Sequence, residues 1–245
     1  MRALLVFLGL FWAVFASDLN LLKDEIKAQI TSIDGNKIHF KILTNPKIPL
    51  KSGEIGQIVH KYNDQDSAII GSIKFNSGEI GELSESLFLS QPFLPAPTNA
   101  PKAGDTIIFR SFNNRAFLIA PNVNSYNKAS QQLKDIEILS ADLLQGLLLS
   151  YGGFDPDKAF LSASCRNYNV GLLFVVLQDN ISAFDCQSLV AIHKDAFSLS
   201  QNDIKNIKAP FYSRIEGISS RDLKSFFSFK ESLKYFDFYN NLLKP

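Results

Sequence analysis

The groups in this 245-residue chain that could do chemistry are three histidines, two cysteines and scattered serines and carboxylates. His39, His60 and His193 are isolated, in or at the end of strand-like apolar runs, with no metal-binding His-x-x-x-His spacing and no nucleophile motif beside them. They read as packed or partly exposed side chains with ordinary hydrogen-bond partners. Ser162-Ala163-Ser164 lacks the Gly-x-Ser-x-Gly context that lifts a serine out of a strand-to-helix turn. The glycines of Gly53-Glu54-Ile55-Gly56 match neither the phosphate-loop nor the dinucleotide pattern and read as turn glycines. Asp155 and Asp157 flank Pro156 at a helix start, where capping is the ordinary use of a carboxylate. Two cysteines and three separated histidines do not make a tetrahedral site, so no metal, cofactor or catalytic residue is expected. The protein is expected not to be an enzyme.

Lys and Arg number 25 against 24 Asp and Glu, so the cation surplus that phosphate binding requires is missing and nucleic acid is not an expected partner. Met1-Arg2, then thirteen uncharged residues, then Ala16-Ser17-Asp18 follow the basic, apolar, small-residue order of a secretory signal peptide. The pattern predicts a signal peptide over 1–16 with cleavage after Ala16, because Asp18 and Asn20 end the apolar run short of the roughly 20 residues of a bilayer span. The mature protein is then expected in the periplasm or on the outer surface, with no transmembrane span. Export would place Cys165 and Cys186 in an oxidising compartment. A hairpin turning near Asp179-Asn180 would return Cys186 beside Leu172 or Leu173, one connection from Cys165. A Cys165–Cys186 disulfide is expected, the alternative being two reduced core thiols.

The elements that must position these residues fall into two groups. Between 25 and 90, short alternating runs such as Ile26, Ala28, Ile30 and Ile38, Phe40, Ile42 are punctuated by Asp34-Gly35-Asn36, Asn63-Asp64-Gln65-Asp66 and Asn76-Ser77-Gly78. This predicts a small β-barrel, SH3-like, over 17–90. Pro92, Pro95, Pro97 and Pro101 predict an extended connector over 91–104. Residues 105–195 change period, with strands at 106–112, 116–119, 136–139, 171–177, 181–185 and 188–193. Helices are predicted from Pro121-Asn122 to about 133, over 141–149 behind Ser140, and from Asp155-Pro156. The order βαβααβββ implies an α+β domain with a mixed sheet. Residues 196–218 read as irregular, the first part of a final segment (196–245) that ends in a helix. There Phe226, Phe229, Leu233, Phe236 and Leu243 form one apolar face, with Tyr235 and Tyr239 partly outside it. That helix either docks on its own chain or presents Phe226, Phe229, Phe236 and Tyr239 to a protein partner.

Residues 50–192 carry Gly53-Glu54-Ile55-Gly56-Gln57-Ile58-Val59-His60, Pro101-Lys102-Ala103-Gly104-Asp105-Thr106, Arg115-Ala116-Phe117-Leu118-Ile119-Ala120-Pro121-Asn122, and the block from Cys165 to Cys186 with Asn169-Val170-Gly171-Leu172-Leu173-Phe174. In this order they resemble the N-terminal domain of bacterial plasminogen-binding proteins, an exported family of flagellated epsilon-type bacteria. The resemblance implies capture of host plasminogen at the cell surface. Family members look longer, with a Lys-rich tail ending in a free lysine, the group that a bipolar kringle cleft pairs with through both its charges. Here Lys244 is followed by Pro245, so Lys244 is expected to bind plasminogen weakly, and an internal lysine beside a carboxylate, such as Lys234 with Asp237, would be the substitute. The element order also resembles periplasmic modules of envelope machines. A scaffold component of the flagellar motor or a similar assembly is therefore the alternative partner class.

Overall fold

The computed structural model describes residues 18–84, 99–152, 155–215 and 231–244. After a short 3-10 helix, Asp18–Lys23, come strands β1 (Ile26–Asp34), β2 (Lys37–Ile42), β3 (Ile55–Lys61), β4 (Ser67–Ser77), β5 (Ile80–Ser84) and β6 (Thr106–Phe109). They close a barrel in the order β1-β2-β5-β4-β3-β6, every pair antiparallel. Alternation drives it: Ile26, Ala28 and Ile30 turn inward while their neighbours stay exposed, and Phe40, Phe75 and Phe109 meet at ring-centroid distances of 5.8 to 6.3 Å in the interior. Gly56 is required where β3 passes Phe109, since a Cβ there would lie 2.7 Å from the ring.

One expected boundary moves. Thr106–Phe109 was expected to open the second domain, yet it pairs with β1 (Ile26 opposite Phe109) and with β3 (Gly56 opposite Phe109), closing the barrel. Without it, two edges rich in apolar residues would be left open, which is why a strand from beyond the proline-rich connector is recruited. Arg110 follows at φ 63°, a left-handed conformation few non-glycine residues adopt, and turns the chain out of the barrel.

The second unit holds β7 (Arg115–Ile119), α1 (Val123–Gln132), β8 (Glu137–Leu139), α2 (Ala141–Ser150), α3 (Lys158–Asn167), β9 (Leu172–Val176), β10 (Asn180–Asp185) and β11 (Ala191–Ala196), the order expected. The sheet runs β11-β10-β9-β7-β8 and is mixed, with β7 parallel to β8 and β9. Both faces are buried, so β9 reads as an unbroken apolar run. Leu173 and Val175 join Phe117, Leu144, Leu148, Phe160 and Leu161 on one side, while Leu172, Phe174 and Val176 join Leu118, Ala129, Leu19 and Leu22 on the other. After β11 come α4 (Gln201–Lys205) and the C-terminal α5 (Glu231–Leu242).

Three local expectations are corrected. Asp157, not Asp155, caps α3, accepting the Phe160 N–H at 2.7 Å from an extended backbone that leaves Pro156 outside the helix. The strand expected at 188–193 begins at Ala191, because the Asp185 carboxylate accepts from Gln187 N, Ser188 N and Ser188 Oγ and holds those residues in a turn. The irregular stretch after 196 contains α4, where Ser200 and Asp203 form a reciprocal capping box.

Candidate functional site

The strongest polar construction lies where barrel and sheet meet. Arg110, just past β6, donates from Nε to Glu54 Oε2 at 3.0 Å and from Nη2 to Glu54 Oε1 at 3.1 Å. Its remaining donors reach the carbonyls of Ile48 (2.9 Å) and Pro49 (3.2 Å), and Glu54 Oε1 also accepts the Lys51 N–H at 2.6 Å. The stretch from Ile48 to Glu54 of the loop between β2 and β3 is thereby fastened, and Ile48 is pressed into the sheet's core beside Leu19 and Leu22. Asp185 at the end of β10 makes the cross-link from the other side, accepting the Ile55 N–H at 3.3 Å. Burial, followed by the proximity of Glu54, pushes the Asp185 carboxyl up to about 6, against hydrogen bonds from Ser188 that favour its charged form. Gly53, at φ 98°, lets the loop approach Val190, which a Cβ would meet at 2.5 Å.

Cys165 on α3 and Cys186 after β10 form the expected disulfide, with a Cα–Cα distance of 5.6 Å and both side chains fully buried. The Cys186 N–H donates to Gly171 at 2.9 Å, so the hairpin returns it one residue earlier than Leu172.

The aromatic helix faces inward over its described part. Phe236 and Tyr239, expected as contacts for a partner, are buried in the core formed with Phe160, Leu161 and Val175. Their role is corrected to packing: α5 is too apolar around its circumference to leave these rings in water when a sheet face lies open beside it. Tyr235, read from sequence as lying off the main stripe, is fully buried, and its hydroxyl donates to Val176 O at 3.1 Å. Burial raises that phenol well above its usual range. Tyr239 donates to Pro210 O at 2.9 Å. Phe226 and Phe229 lie outside the described residues, as do residues 1–16, most of the proline-rich connector and the Lys234 side chain. Lys244 is exposed; its ammonium donates to Asn241 Oδ1 at 2.8 Å and its carbonyl accepts from Lys158 Nζ at 2.9 Å.

The histidines lie on β2, β3 and β11. His60 is satisfied, with Nδ1 2.6 Å from Asp105 Oδ1, both groups being buried. Among the described residues no group of three or more His, Cys, Asp or Glu could hold a metal ion, and no helix is long and apolar enough to cross a membrane. Sequence reasoning missed the Arg110–Glu54 and His60–Asp105 pairs, separated by 56 and 45 residues. The one local signal for the first was an arginine directly after the apolar run Ile107, Ile108, Phe109.

Among the described residues, the tip of the β3–β4 hairpin carries the most exposed ion pair. Lys61 Nζ lies 2.7 Å from Asp64 Oδ1, with side-chain exposures of 63% and 96%. The Asn63 Oδ1 accepts from Gln65 N and Asp66 N, each at 2.8 Å, and Tyr62 N donates to Asp66 O at 3.0 Å, so the turn is ordered although it projects into solvent. Tyr62, next to Lys61 in the chain, stands half-exposed, its ring edge-on to His60 at 4.8 Å.

Residues 25–243 match the family described as the N-terminal part of the plasminogen-binding protein pgbA. The chain belongs to this family. It is 33% identical over 225 residues to the plasminogen-binding protein PgbA of Helicobacter pylori strain J99 and 32% identical to that of strain 26695. Those alignments take in 91% of the chain and 48% of each relative, so this member of the pgbA N-terminal family spans about half the length of the curated relatives it matches. No solved structure matches the chain. The family match runs from just before β1 through α5, so the barrel, the mixed sheet and the inward-facing helix all lie within it.

Proposed function

We propose that this chain is an exported, non-enzymatic binding protein that works by protein–protein contact, takes plasminogen as its partner, and offers it the β3–β4 tip. The observation that carries this reading is the Lys61–Asp64 pair, an ammonium and a carboxylate held side by side on an ordered, projecting turn beside an exposed tyrosine, Tyr62. A kringle lysine site is bipolar and needs both charges. An exposed ion pair is worth at most about 1 kcal/mol, so the two groups part at little cost to meet such a site. Export is supported by the order of residues 1–16 and by the disulfide, which forms where thiols are oxidised. The relatives' name supports the choice of partner.

Surface plasmon resonance of plasminogen on the immobilised chain tests the contact, with 6-aminohexanoic acid as competitor. Lysine-competable binding that falls roughly ten- to a hundredfold in Lys61→Ala, the loss of one charge-assisted contact, is the expected result. Binding unchanged by Lys61→Ala and Asp64→Ala together would remove the tip from the reading, and no binding at all would remove plasminogen. N-terminal sequencing of protein from the envelope fraction should begin at Ser17, and co-fractionation with a motor or assembly complex would instead favour a scaffold role.

A further inference from the structure

Among the described residues, strand β11 is the last strand of the sheet on one side, paired only with β10. The Phe197 N–H donates to Asp179 O, which continues the β10–β11 register and makes Ile181–Asp195 and Ala183–His193 the hydrogen-bonded pairs. By the alternation of an antiparallel ladder, Lys194 and Ala196 turn their N–H and C=O groups away from the sheet. The Ala196 N–H is taken by the Asp195 carboxylate at 2.9 Å. Those of Lys194 have no backbone partner among the described residues.

A groove of about 480 Å³ runs between this edge and the β2–β3 loop, within the size range of ligand sites. The loop supplies Lys47, Pro49 and Lys51, and the strand supplies His193 and Lys194, with Asp18 the single carboxylate on the lining. Lys47, Lys51 and Lys194 are exposed and form no ion pair among the described residues. The wall that carries two of these ammoniums does not float: Arg110 grips the carbonyls of Ile48 and Pro49, and Glu54 holds the Lys51 N–H. A second concavity, of about 350 Å³, lies at the far end of the strand, against Ala196, Phe197 and Leu199.

We infer that the open edge of β11 and the Lys47–Lys51–Lys194 groove together form a docking site for an extended acidic peptide segment, added to the sheet as a further strand. The edge supplies ladder hydrogen bonds independent of sequence, and the lysines select carboxylate side chains. Charge also decides against a second copy of this edge, because two lysine-bearing strands laid side by side repel. The site is separate from the β3–β4 tip and does not depend on the plasminogen reading.

The test is fluorescence anisotropy of a labelled Glu-Val-Glu-Val-Glu-Val peptide with the full chain. A Lys-Val peptide of equal length serves as a control, as does a version of the acidic peptide N-methylated at alternate amides, which keeps the charge but cannot pair. The acidic peptide is expected to bind, more weakly as salt rises. Replacing Lys47, Lys51 and Lys194 with alanine should weaken binding about tenfold or more, since three exposed ionic contacts are lost. N-methylation should weaken it comparably, and Lys194→Pro should weaken it further than Lys194→Ala while leaving the melting temperature near that of Lys194→Ala, because proline is tolerated where an edge N–H faces out. Lys61→Ala should leave peptide binding unchanged. Equal binding of acidic and basic peptides, indifference to the triple substitution, or no binding up to about 1 mM would overturn the proposal. So would full retention by the N-methylated peptide with displacement by polyphosphate, which would make the lysines a simple anion surface.

Discussion

Arg110 and Glu54 form a two-pronged ion pair at the exit from the barrel, with side chains only 2% and 1% exposed. The same arginine also holds two carbonyls of the β2–β3 loop, so one side chain ties the exit of the barrel's closing strand to that loop at the entry to the sheet. Removing either partner leaves a buried charge uncompensated, which costs about 3 to 5 kcal/mol. Arg110→Met and Glu54→Gln should each lower the unfolding free energy measured in urea by that much. In the double variant the two losses should add to less than their sum, because the second substitution removes the orphaned charge. Hydrogen exchange should speed up first at Lys51 N and Gly53 N. Additive losses would mean that the two residues act separately.

The Asp185 carboxyl titrates near 6, above the 3.8 of an unstructured aspartate. The folded chain therefore holds this proton more tightly than the unfolded chain does, and the stability gained is complete below about pH 4 and lost as pH rises through 6. The span corresponds to about 3 kcal/mol. Asp185→Asn keeps an acceptor for Ser188 and does not titrate. Urea denaturation from pH 4 to pH 7 should show the variant closing on the parent by about that amount as pH rises. Parallel profiles would show that Asp185 is already ionised throughout.

The disulfide closes a loop with a sequence separation of 21, which in the chain-entropy model is worth about 3 kcal/mol. Cys165→Ala with Cys186→Ala should lower the melting temperature accordingly. Intact mass after alkylation without reductant should show neither cysteine modified in protein from an oxidising compartment, and modification of both would assign the pair to a reduced state in the cell.

Tyr235, Phe236, Tyr239 and Leu243 are all buried against the chain's own core. Tyr239→Ala should cost about 3 to 5 kcal/mol, a large aromatic truncated inside a packed interior. Tyr235→Phe should cost about 1 kcal/mol through the hydroxyl bond to Val176 O. Removal of residues 231–245 should give early melting or aggregation in a thermal scan. A truncated chain that melts like the parent would return α5 to a partner-facing role.

Local sterics and alternation made much of this protein legible before folding. Asn122, Ser140 and the turn at Asp34, Gly35 and Asn36 act within four residues of themselves, and the unbroken run in β9 announces a strand covered on both faces. The partner of Cys165 could be read because a hairpin is also local. What sequence could not assign depends on groups brought together across long separations. Thr106–Phe109 looks equally suited to either sheet, and only the two open barrel edges decide for it. Arg110 with Glu54, and His60 with Asp105, are charged residues without a sequence pattern until the closed barrel sets them face to face. The inward turn of Phe236 and Tyr239 was likewise undecided by periodicity, which marks an apolar face but not what covers it; the sheet's open side settled it by offering a dry surface to those rings. Periodicity is a property of neighbours along the chain, while burial is a property of neighbours in space.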